Sequence, residues 1–299
     1  SRVSPVNSLQ KLMLYLPVLA VLLLCLDIIS GFGLSFALDP PNPGEDVEKR
    51  RADAIMNTAN GLVFLILVSA PSVVILLWTR FRGPIISVVL LALLLLSAAV
   101  SGLNVAIIAV LFSVLSMVCA AFYPKATLNT LRVTAMMLVG FAPLIAALAR
   151  TATPAFKASL PFSWEHRIVT WSYAAELTRD APIIGHGFDA SRTFNDTFSA
   201  RGFDGLSKIS LHPHNAGLQI WLETGAIGAI LAVMTIFFLG QKAQDYARGG
   251  RARGIAVAGT MAAVLLIASV SYGIWQEWWW ALIALSAGLL GCVPKTRRN

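Results

Sequence analysis

Residues 212–239, HPHNAGLQIWLETGAIGAILAVMTIFFL, join a polar loop to a long apolar run, and this junction governs both the fold and the expected site. Pro213 cannot continue a helix from upstream, so a helix is predicted to begin at or just after His214. The apolar part approaches the ~20 residues that a helix needs to cross a bilayer. All four histidines of the chain fall within residues 166–214. The sequence therefore predicts a membrane-spanning helix with a histidine-bearing loop at one end.

The composition excludes a soluble domain of this length. Of the 299 residues, 57% are hydrophobic and 13% are charged, and the mean hydropathy is +0.73. Apolar runs recur along the chain, and no alternating ten-residue pattern indicates a barrel. We therefore predict an all-α polytopic membrane protein with about eight transmembrane helices and one large periplasmic loop that contains short helices. The expected spans lie near 12–30, 60–78, 84–99, 103–122, 132–149, 215–239, 255–273 and 277–293.

These spans divide the chain into three predicted parts. Residues 1–149 hold the N-terminal transmembrane helices, with a short periplasmic loop near 31–59. Residues 150–214 form the large periplasmic loop, and residues 215–299 hold the C-terminal transmembrane helices. The chain begins at Ser1 without an initiator Met, which we interpret as an N-terminally incomplete sequence.

The positive charge indicates how the chain is oriented in the membrane rather than that it binds nucleic acid. The net charge is +8, but no basic block with interleaved aromatics stands outside the expected spans. Thirteen basic residues of the termini and short connections fall on one side of the membrane, which the positive-inside rule makes cytoplasmic. They are Arg2, Lys11, Arg80, Arg82, Lys125, Arg132, Lys242, Arg248, Arg251, Arg253, Lys295, Arg297 and Arg298. The histidine-bearing loop is therefore expected outside the cytoplasm, which in a bacterial cell is the periplasm.

The three cysteines do not form a recognisable site. Cys25, Cys119 and Cys292 lie in or beside predicted spans. We interpret them as small buried apolar residues rather than as a disulfide set or zinc ligands.

The large loop is predicted to contain one ordered helix. Ser163 can cap a helix that runs to about Thr178, in which Arg167 and Trp171 share a face at a spacing of four residues. An apolar, glycine-hinged turn follows at 183–187. The polar segment from Thr193 to Ser210 is predicted to be the least ordered part.

The residues around His214 favour acid–base and anion chemistry. The start of a helix offers free N–H groups and the positive end of its dipole, which suits an anion such as a diphosphate. The same field favours a neutral imidazole, the form that accepts a proton near pH 7. Asn215, Gln219 and Glu223 follow at a spacing of four and predict a polar stripe. A carboxylate in a span needs a cavity or a partner, so Glu223 is a candidate site residue.

Gly225 and Gly228 lie one turn apart on the same predicted helix, where they would let another helix approach closely.

Other interpretations of these residues stay open. A histidine at a helix start can be only a cap or an interfacial residue. His212 and His214 could bind zinc with His166 and His186, although neither a Cys partner nor a His-Glu-x-x-His helix is present. Arg167 could be a surface or lipid-headgroup arginine rather than a phosphate ligand. The tryptophans between 275 and 280 are typical of an interfacial aromatic belt, and a sugar-binding platform is the alternative.

Three of these motifs also resemble those of a known family. His214-Asn215, nine residues and then Gly225-Ala226-Ile227-Gly228 resemble the signature of the O-antigen ligase and polymerase superfamily of bacterial membranes. Arg167 to Trp171 resembles the family's Arg-x-x-x-Trp helix. Residues 181–187, APIIGHG, resemble its Asn-Pro-Leu-Leu-Gly-x-Gly turn, and residues 188–192, FDASR, are similar to the alphaproteobacterial branch. The resemblance covers about Asp53 to the C-terminus.

One departure from the family pattern affects the expected site. The family often carries a Ser-Arg pair at the start of an earlier span, and here Asn104 stands where the arginine is expected. Asparagine can donate a hydrogen bond to a phosphate oxygen but brings no charge. Either Arg192 or Arg150 substitutes, or the donor binds differently. Family members usually have ten or more spans, which agrees with an incomplete N-terminus.

The resemblance implies a glycosyltransferase of the O-antigen ligase type. Such an enzyme transfers a glycan from undecaprenyl diphosphate to lipid A–core oligosaccharide on the periplasmic face, with inversion and without a metal or other cofactor. The implied catalytic residues are His214 and Arg167. The implied substrate-binding residues are Arg192, Asn215, Asn104, Gln219, Glu223, His212 and His186, with Gly225 and Gly228 structural.

Three other functions remain open. A polymerase of the same superfamily would extend a lipid-linked repeat, and a protein-glycosylating ligase would use another acceptor. A lipid or solute transporter with a polar cavity around Glu223 would favour internal inverted repeats, and the sequence shows none.

Overall fold

The computed structural model describes residues 8–40, 46–79 and 82–295. Within these ranges the chain is mostly helical, as predicted. The α-helices are α1 (Ser8–Ile29), α2 (Gly33–Leu38), α3 (Val47–Thr79), α4 (Gly83–Val100), α5 (Asn104–Phe122), α6 (Pro124–Gly140), α7 (Ala142–Ala147), α8 (Pro154–Ser159), α9 (Phe162–Leu177), α10 (Ala216–Ala247), α11 (Arg251–Val270) and α12 (Glu277–Leu290). Two 3-10 turns cover Leu148–Thr151 and Ala190–Thr193, and two strands, β1 (Thr197–Ala200) and β2 (Phe203–Ser207), form a hairpin.

The apolar helices agree with a polytopic membrane protein, but the expected number of eight spans is not confirmed. Among the described residues, five helices are long and apolar enough to cross a membrane: α3, α4, α5, α10 and α11. A sixth span would combine Pro124–Gly140 with Ala142–Thr151, which are bent by 71°. The bend falls just before Pro143, which has no N–H to continue the helical hydrogen bonds. The other two predicted segments contain shorter apolar helices, Tyr15–Ile29 and Glu277–Leu290.

The described residues of the segment predicted as a loop, 31–40 and 46–59, are mostly helical. They include the short α2, and α3 begins at Val47, thirteen residues before the predicted span. The charged residues at 48–51 have good helix propensity, so the helix extends beyond its apolar part. Arg50 also forms an ion pair with Asp39 at 2.7 Å. Glu45 and four of the basic residues used for the topology, Arg2, Arg80, Arg297 and Arg298, lie outside the described residues.

The chain divides into two compact units. The first comprises residues up to 128 with 243–267 and 280 onward, and the second comprises 129–242 with 268–279. In the first unit α1, α3, α4 and α5 pack together around leucines and isoleucines of α3 and α4. Cys25 is buried in this unit, with its Sγ 3.0 Å from Ser97 Oγ. Cys119 is exposed and Cys292 is half-buried, so burial was predicted correctly only for Cys25.

The second unit contains most of the candidate site residues. Its core is formed by α7, α9 and the first turns of α10, together with Ile209. The buried members are Ala142, Ala146, Ala174, Ala175, Ile209, Leu218 and Leu222.

Thr193–Ser210, which was predicted to be the least ordered part of the loop, contains the β1–β2 hairpin. Both residues of its two-residue connection, Arg201 and Gly202, have positive φ angles, as a tight hairpin turn requires.

Candidate functional site

The site is built on α9 and on the residues just before α10. Helix α9 begins at Phe162, with Pro161 at its N-cap and no side-chain cap. The predicted capping role of Ser163 is therefore wrong, because this residue lies in the first helical turn. Its carbonyl oxygen instead accepts a hydrogen bond from Arg167 Nη1 at 2.8 Å.

Arg167 is held in place by two backbone carbonyls. Besides the bond to Ser163, its Nε donates to the carbonyl oxygen of Val270 at 2.8 Å. Its guanidinium carbon lies 5.3 Å from the ring centre of Trp164. Burial lowers the pKa of Arg167 below its ordinary value, but an arginine remains charged in proteins. A guanidinium has five N–H groups, so three of them are not bonded to other described residues and can bind an anion.

Trp171 lies one turn further along α9 and anchors the loop that leads to α10. Its Nε1 donates to the carbonyl oxygen of Pro213 at 2.9 Å. Arg167 and Trp171 thus connect α9 to the last residue of α11, Val270, and to the loop at Pro213.

The hydrogen bond of the His214 ring determines its tautomer. His214 has φ 53°, in the left-handed region, which a short polar residue adopts more easily than a bulky one. Its Nδ1 lies 2.5 Å from the carbonyl oxygen of Ser271. A carbonyl can only accept, so Nδ1 carries the proton, and Nε2 of the neutral ring has the lone pair that can act as a base.

His212 has the complementary arrangement. Its Nδ1 accepts a hydrogen bond from the backbone N–H of His214 at 3.2 Å, so the proton of the neutral ring is on Nε2. The two imidazole rings are 4.5 Å apart. A Cβ added at Gly273 would lie 3.0 Å from the His212 ring, so the absence of a side chain at that position makes room for it.

Both imidazoles are kept neutral, chiefly by burial. Burial lowers the pKa of His212 to about 4, with smaller contributions from the charges of His214, Arg192 and Arg167. Burial also lowers the pKa of His214, and the charges of Arg167 and His166 lower it further. The hydrogen bond to Ser271 raises this pKa and so opposes the shift. The neutral form predicted for His214 thus results mainly from burial rather than from the helix dipole, and its role as a base stays a prediction.

The predicted start of α10 is confirmed, and Asn215 is its cap. The helix begins at Ala216, and Asn215 Oδ1 accepts the backbone N–H of Leu218 at 2.9 Å. This bond commits the carbonyl end of the Asn215 side chain to the helix. A role for Asn215 in substrate binding remains a proposal. The N–H groups of its side-chain amide are the atoms that would contact the substrate.

The polar stripe of α10 is buried against two loops. Gln219 Nε2 donates to Glu223 Oε1 at 3.0 Å, and Gln219 Oε1 accepts the N–H of Ile274 at 2.9 Å. Glu223 is only 1% exposed. Its carboxylate also accepts the N–H of Asp189 at 2.9 Å, the hydroxyl and N–H of Ser191 at 2.5 and 3.4 Å, and Nε1 of Trp275.

Five donors therefore converge on one carboxylate. This arrangement leaves little capacity for a substrate hydrogen bond. It favours positioning roles for Gln219 and Glu223 over the substrate contact predicted from sequence.

Gly225 breaks α10, and a turn of the large loop pairs with the break. Gly225 has φ 61° and ψ −159°, which is not helical. The N–H groups of His186 and Gly187 donate to the carbonyl oxygens of Leu222 and Glu223, each at 2.9 Å. The N–H groups of Ala226 and Ile227 donate to Pro182 and Ile183 at 2.9 and 3.2 Å.

This packing corrects the predicted role of the two glycines. A Cβ at Gly225 would overlap the backbone of Ile183, and a Cβ at Gly185 would overlap the backbone of Glu223. The element that approaches Gly225 is therefore a turn and not a second helix. Gly228 faces the side chain of Thr224 on its own helix.

The remaining candidates are two arginines of the second unit and Asn104 of the first. Arg192 is exposed and pairs with Asp189 at 2.9 Å, and its charge acts on His212. Arg150 pairs with Glu176 at 2.8 Å. Arg192 is the better candidate for a second cation, because its charge, and not that of Arg150, is among those that lower the pKa of His212. Asn104 is exposed at the first position of α5, in the first unit.

The histidines outside the pair have backbone partners. His186 Nε2 lies 2.9 Å from the carbonyl oxygen of Leu177, and His166 Nε2 lies 2.8 Å from that of Ser207. Among the described residues no three His, Cys, Asp or Glu side chains come together as metal ligands. The geometry thus gives the zinc alternative no third ligand within the described part of the chain.

The tryptophans at 275–280 do not behave as a uniform belt. Trp275 and Trp280 are exposed, but Trp279 is buried at 1% exposure and Trp278 is half-buried. Tyr272 packs edge-on against Trp278 at 4.6 Å. The belt interpretation therefore fits only the exposed members.

Two cavities of different polarity are lined by neighbouring residues of α9 and of the segment just before α10. The polar cavity has a volume of about 430 Å³ and is lined by Phe162, Ser163, His166, Arg167, Leu206, Ser207, Ser210 and His214. The apolar cavity has a volume of about 460 Å³ and includes Ile168, Trp171, Asn215 and several residues of α7. Because Arg167 and Ile168, like His214 and Asn215, are adjacent in sequence, the two cavities flank the same short segments.

Sequence reasoning missed several partners in this site. The carbonyl groups of Val270 and Ser271 carry no sequence signal, because every residue has one. Trp275 is a conspicuous residue, but its bond to Glu223 depends on the tertiary fold. His166 was considered only as a zinc ligand, although it shares the polar cavity with His214.

Comparison with known proteins shows the family of the chain. Residues 62–233 match the family model described as O-Antigen ligase. Over 130 residues the chain is 32% identical to proteins named "Putative polysaccharide ligase" in Rickettsia typhi and Rickettsia prowazekii, and over 129 residues it is 31% identical to one in Rickettsia felis. These alignments cover 40% of this chain and 31% of each relative. No solved structure matches the chain. Since the family model spans more than half of the chain and includes His214, Arg167 and Gly225, the chain belongs to the O-antigen ligase family.

Proposed function

We propose that this protein transfers a preassembled glycan from undecaprenyl diphosphate to lipid A–core oligosaccharide, on the periplasmic face of the bacterial inner membrane. The observation that carries the proposal is the pairing of His214 and Arg167 at one polar cavity. One side chain is a neutral base with a fixed tautomer, and the other is a fixed cation with unused N–H groups.

In the proposed reaction His214 Nε2 removes the proton of the acceptor hydroxyl. The acceptor oxygen then attacks the anomeric carbon of the glycan, and the bond from that carbon to the diphosphate oxygen breaks. A single displacement of this kind inverts the anomeric configuration. The electron pair leaves with the lipid diphosphate, and Arg167 stabilises the growing negative charge.

The two cavities suit an amphiphilic donor. The polar cavity can hold the diphosphate beside Arg167, and the apolar cavity next to Ile168 and Trp171 can hold the first isoprene units. The donor would then lie across α9, with its reactive carbon close to His214. Arg192 is the exposed cation that can assist at the polar end.

The reaction is proposed to need no metal ion. A diphosphate is already a good leaving group, and the guanidinium of Arg167 supplies the positive charge that a divalent cation would otherwise bring. Loss of turnover on addition of chelator, with recovery on addition of Mg²⁺, would contradict this part of the proposal.

The function is tested by transfer in proteoliposomes that contain the protein, glycan-linked undecaprenyl diphosphate and lipid A–core. We expect one new product, the lipid A–core carrying a single glycan. A product ladder on the donor lipid would identify a polymerase instead. If the protein is folded and inserted but forms neither product, glycosyl transfer is contradicted.

A further inference from the structure

The turn at residues 182–188 exposes three large apolar side chains. Ile183 is 64% exposed, Ile184 is 71% exposed and Phe188 is 73% exposed. Isolated exposed apolar residues are common, but three of them in one short turn form a patch that needs an apolar partner. We propose that this segment, the apolar turn, inserts these side chains between bilayer lipids beside α10. The transfer reaction does not enter into this proposal.

The hydrogen bonds at Gly225 place the apolar turn beside α10. Pro182 and Ile183 accept the N–H groups of Ala226 and Ile227, while His186 and Gly187 donate to the turn of α10 before the break. Such pairing is what a broken helix requires at membrane depth, because lipid offers no partners for free backbone groups. The apolar turn therefore lies at the same depth as Gly225.

The length of α10 gives that depth. Lys242 is the first charged residue after Glu223, and it lies seventeen positions after Gly225. At about 1.5 Å per residue the helix between them is about 25 Å long. The hydrocarbon core is about 30 Å thick. If Lys242 marks one edge of that core, Gly225 and the apolar turn lie near the other edge.

The exposed surface of α10 continues into the apolar turn. Ile227, Ile230 and Leu231 are exposed on this membrane-spanning helix, and Ile227 is bonded directly to Ile183. Lipid chains that cover the helix would therefore meet the turn next. Trp275 packs edge-on against Phe188 at 4.9 Å and donates its Nε1 to Glu223, an arrangement typical of an interfacial tryptophan.

The experiment places an environment-sensitive fluorophore on the turn in proteoliposomes. Ile184→Cys is labelled in a background of Cys25→Ser, Cys119→Ala and Cys292→Ala. Phe203→Cys, at the turn of the β1–β2 hairpin, is the matched control because Phe203 is 64% exposed. Neither substitution removes a buried side chain, so both proteins should fold. Quenching is measured with iodide in water and with phosphatidylcholine that carries a nitroxide high on its acyl chain.

We expect blue-shifted emission at position 184, with strong quenching by the nitroxide lipid and protection from iodide. This result corresponds to insertion by about 5–10 Å, the depth of other interfacial segments. The probe at position 203 should show the reverse pattern. Equal iodide quenching at both positions would overturn the proposal. Protection of position 184 from both quenchers would also overturn it, because protein rather than lipid would then cover the turn.

Discussion

The Nδ1 atom of His214 lies 2.5 Å from the carbonyl oxygen of Ser271, between α11 and α12. This contact orients the imidazole and leaves Nε2 as its basic atom. In the other tautomer, Nδ1 would be the basic atom instead. The carbonyl of the preceding residue, Val270, accepts Arg167 Nε at 2.8 Å. Two adjacent peptide groups thus align the two side chains that we propose for the chemistry.

The pH dependence of transfer should reflect the pKa of His214. Burial and the charge of Arg167 lower this pKa from 6.5, and a base is active only when it is neutral. Activity should therefore persist at pH 6.5 and fall as the pH drops through the lowered pKa. The check is a pH profile of kcat/KM, and an acid limb with its midpoint above pH 6.5 would contradict the assignment. In Arg167→Gln, any residual activity should show this limb at higher pH, because a repelling charge has been removed.

Replacing Arg167 by lysine should impair donor use although the charge is kept. An ammonium group cannot hold the carbonyls of Ser163 and Val270 and also present N–H groups to a phosphate. Losing charge-assisted hydrogen bonds of this kind should lower kcat/KM for the donor by about 10–100-fold. Arg248→Lys is the matched control, because Arg248 is exposed and forms only an i,i+3 ion pair with Asp245. Equal activity of the two variants would mean that the guanidinium geometry is irrelevant.

Replacing Glu223 by glutamine should destabilise the second unit. The new NH₂ group would face donors from Asp189, Ser191, Gln219 or Trp275, and a buried donor without an acceptor costs about 1–3 kcal/mol. We expect a lower Tm and faster proteolysis within residues 182–192. Glu176→Gln provides the comparison, because its side chain is 56% exposed and its ion pair with Arg150 is worth about 0–1 kcal/mol. Similar proteolysis of both variants would argue against a positioning role for Glu223.

Replacing Gly225 by alanine should disrupt the break in α10. The added Cβ would overlap the backbone of Ile183, and the φ of 61° is unfavourable for alanine, with a cost of about 1–3 kcal/mol from the backbone alone. Both Tm and transfer should decrease. Gly288→Ala is the control, since no atom lies within 4 Å of a Cβ at that position of α12. An unchanged Tm for Gly225→Ala would show that the helix does not need the break.

Much of the site was predictable from local rules. Pro213 and Asn215 mark the start of α10, and the spacing of Gln219 and Glu223 places both side chains on one face. What these side chains contact depends on the fold. The same stripe could have faced a substrate cavity or, as in the structure, the N–H groups of two loops. Sequence patterns indicate that a polar face needs partners but do not identify them.

The errors in the fold prediction have similar causes. Hydropathy locates the apolar part of α3 but not its charged beginning at Val47, because charged residues can be good helix formers. The β1–β2 hairpin is short and exposed, so its strands lack an alternating apolar pattern. A glycine in a helix suggests close packing, but the pattern cannot distinguish a second helix from the backbone of the apolar turn at Gly225.

The most direct test of the proposed mechanism is glycan transfer by His214→Asn in proteoliposomes. Asparagine tolerates the positive φ at this position, and its side-chain NH₂ can replace Nδ1 as donor to Ser271, while Nε2 is lost. We expect a wild-type Tm together with a decrease in transfer of about 10²–10⁴-fold, the usual contribution of a positioned base. His214→Ala should lose stability as well as activity, because it loses the bond to Ser271. Wild-type transfer rates in His214→Asn would contradict the role of His214 as the base.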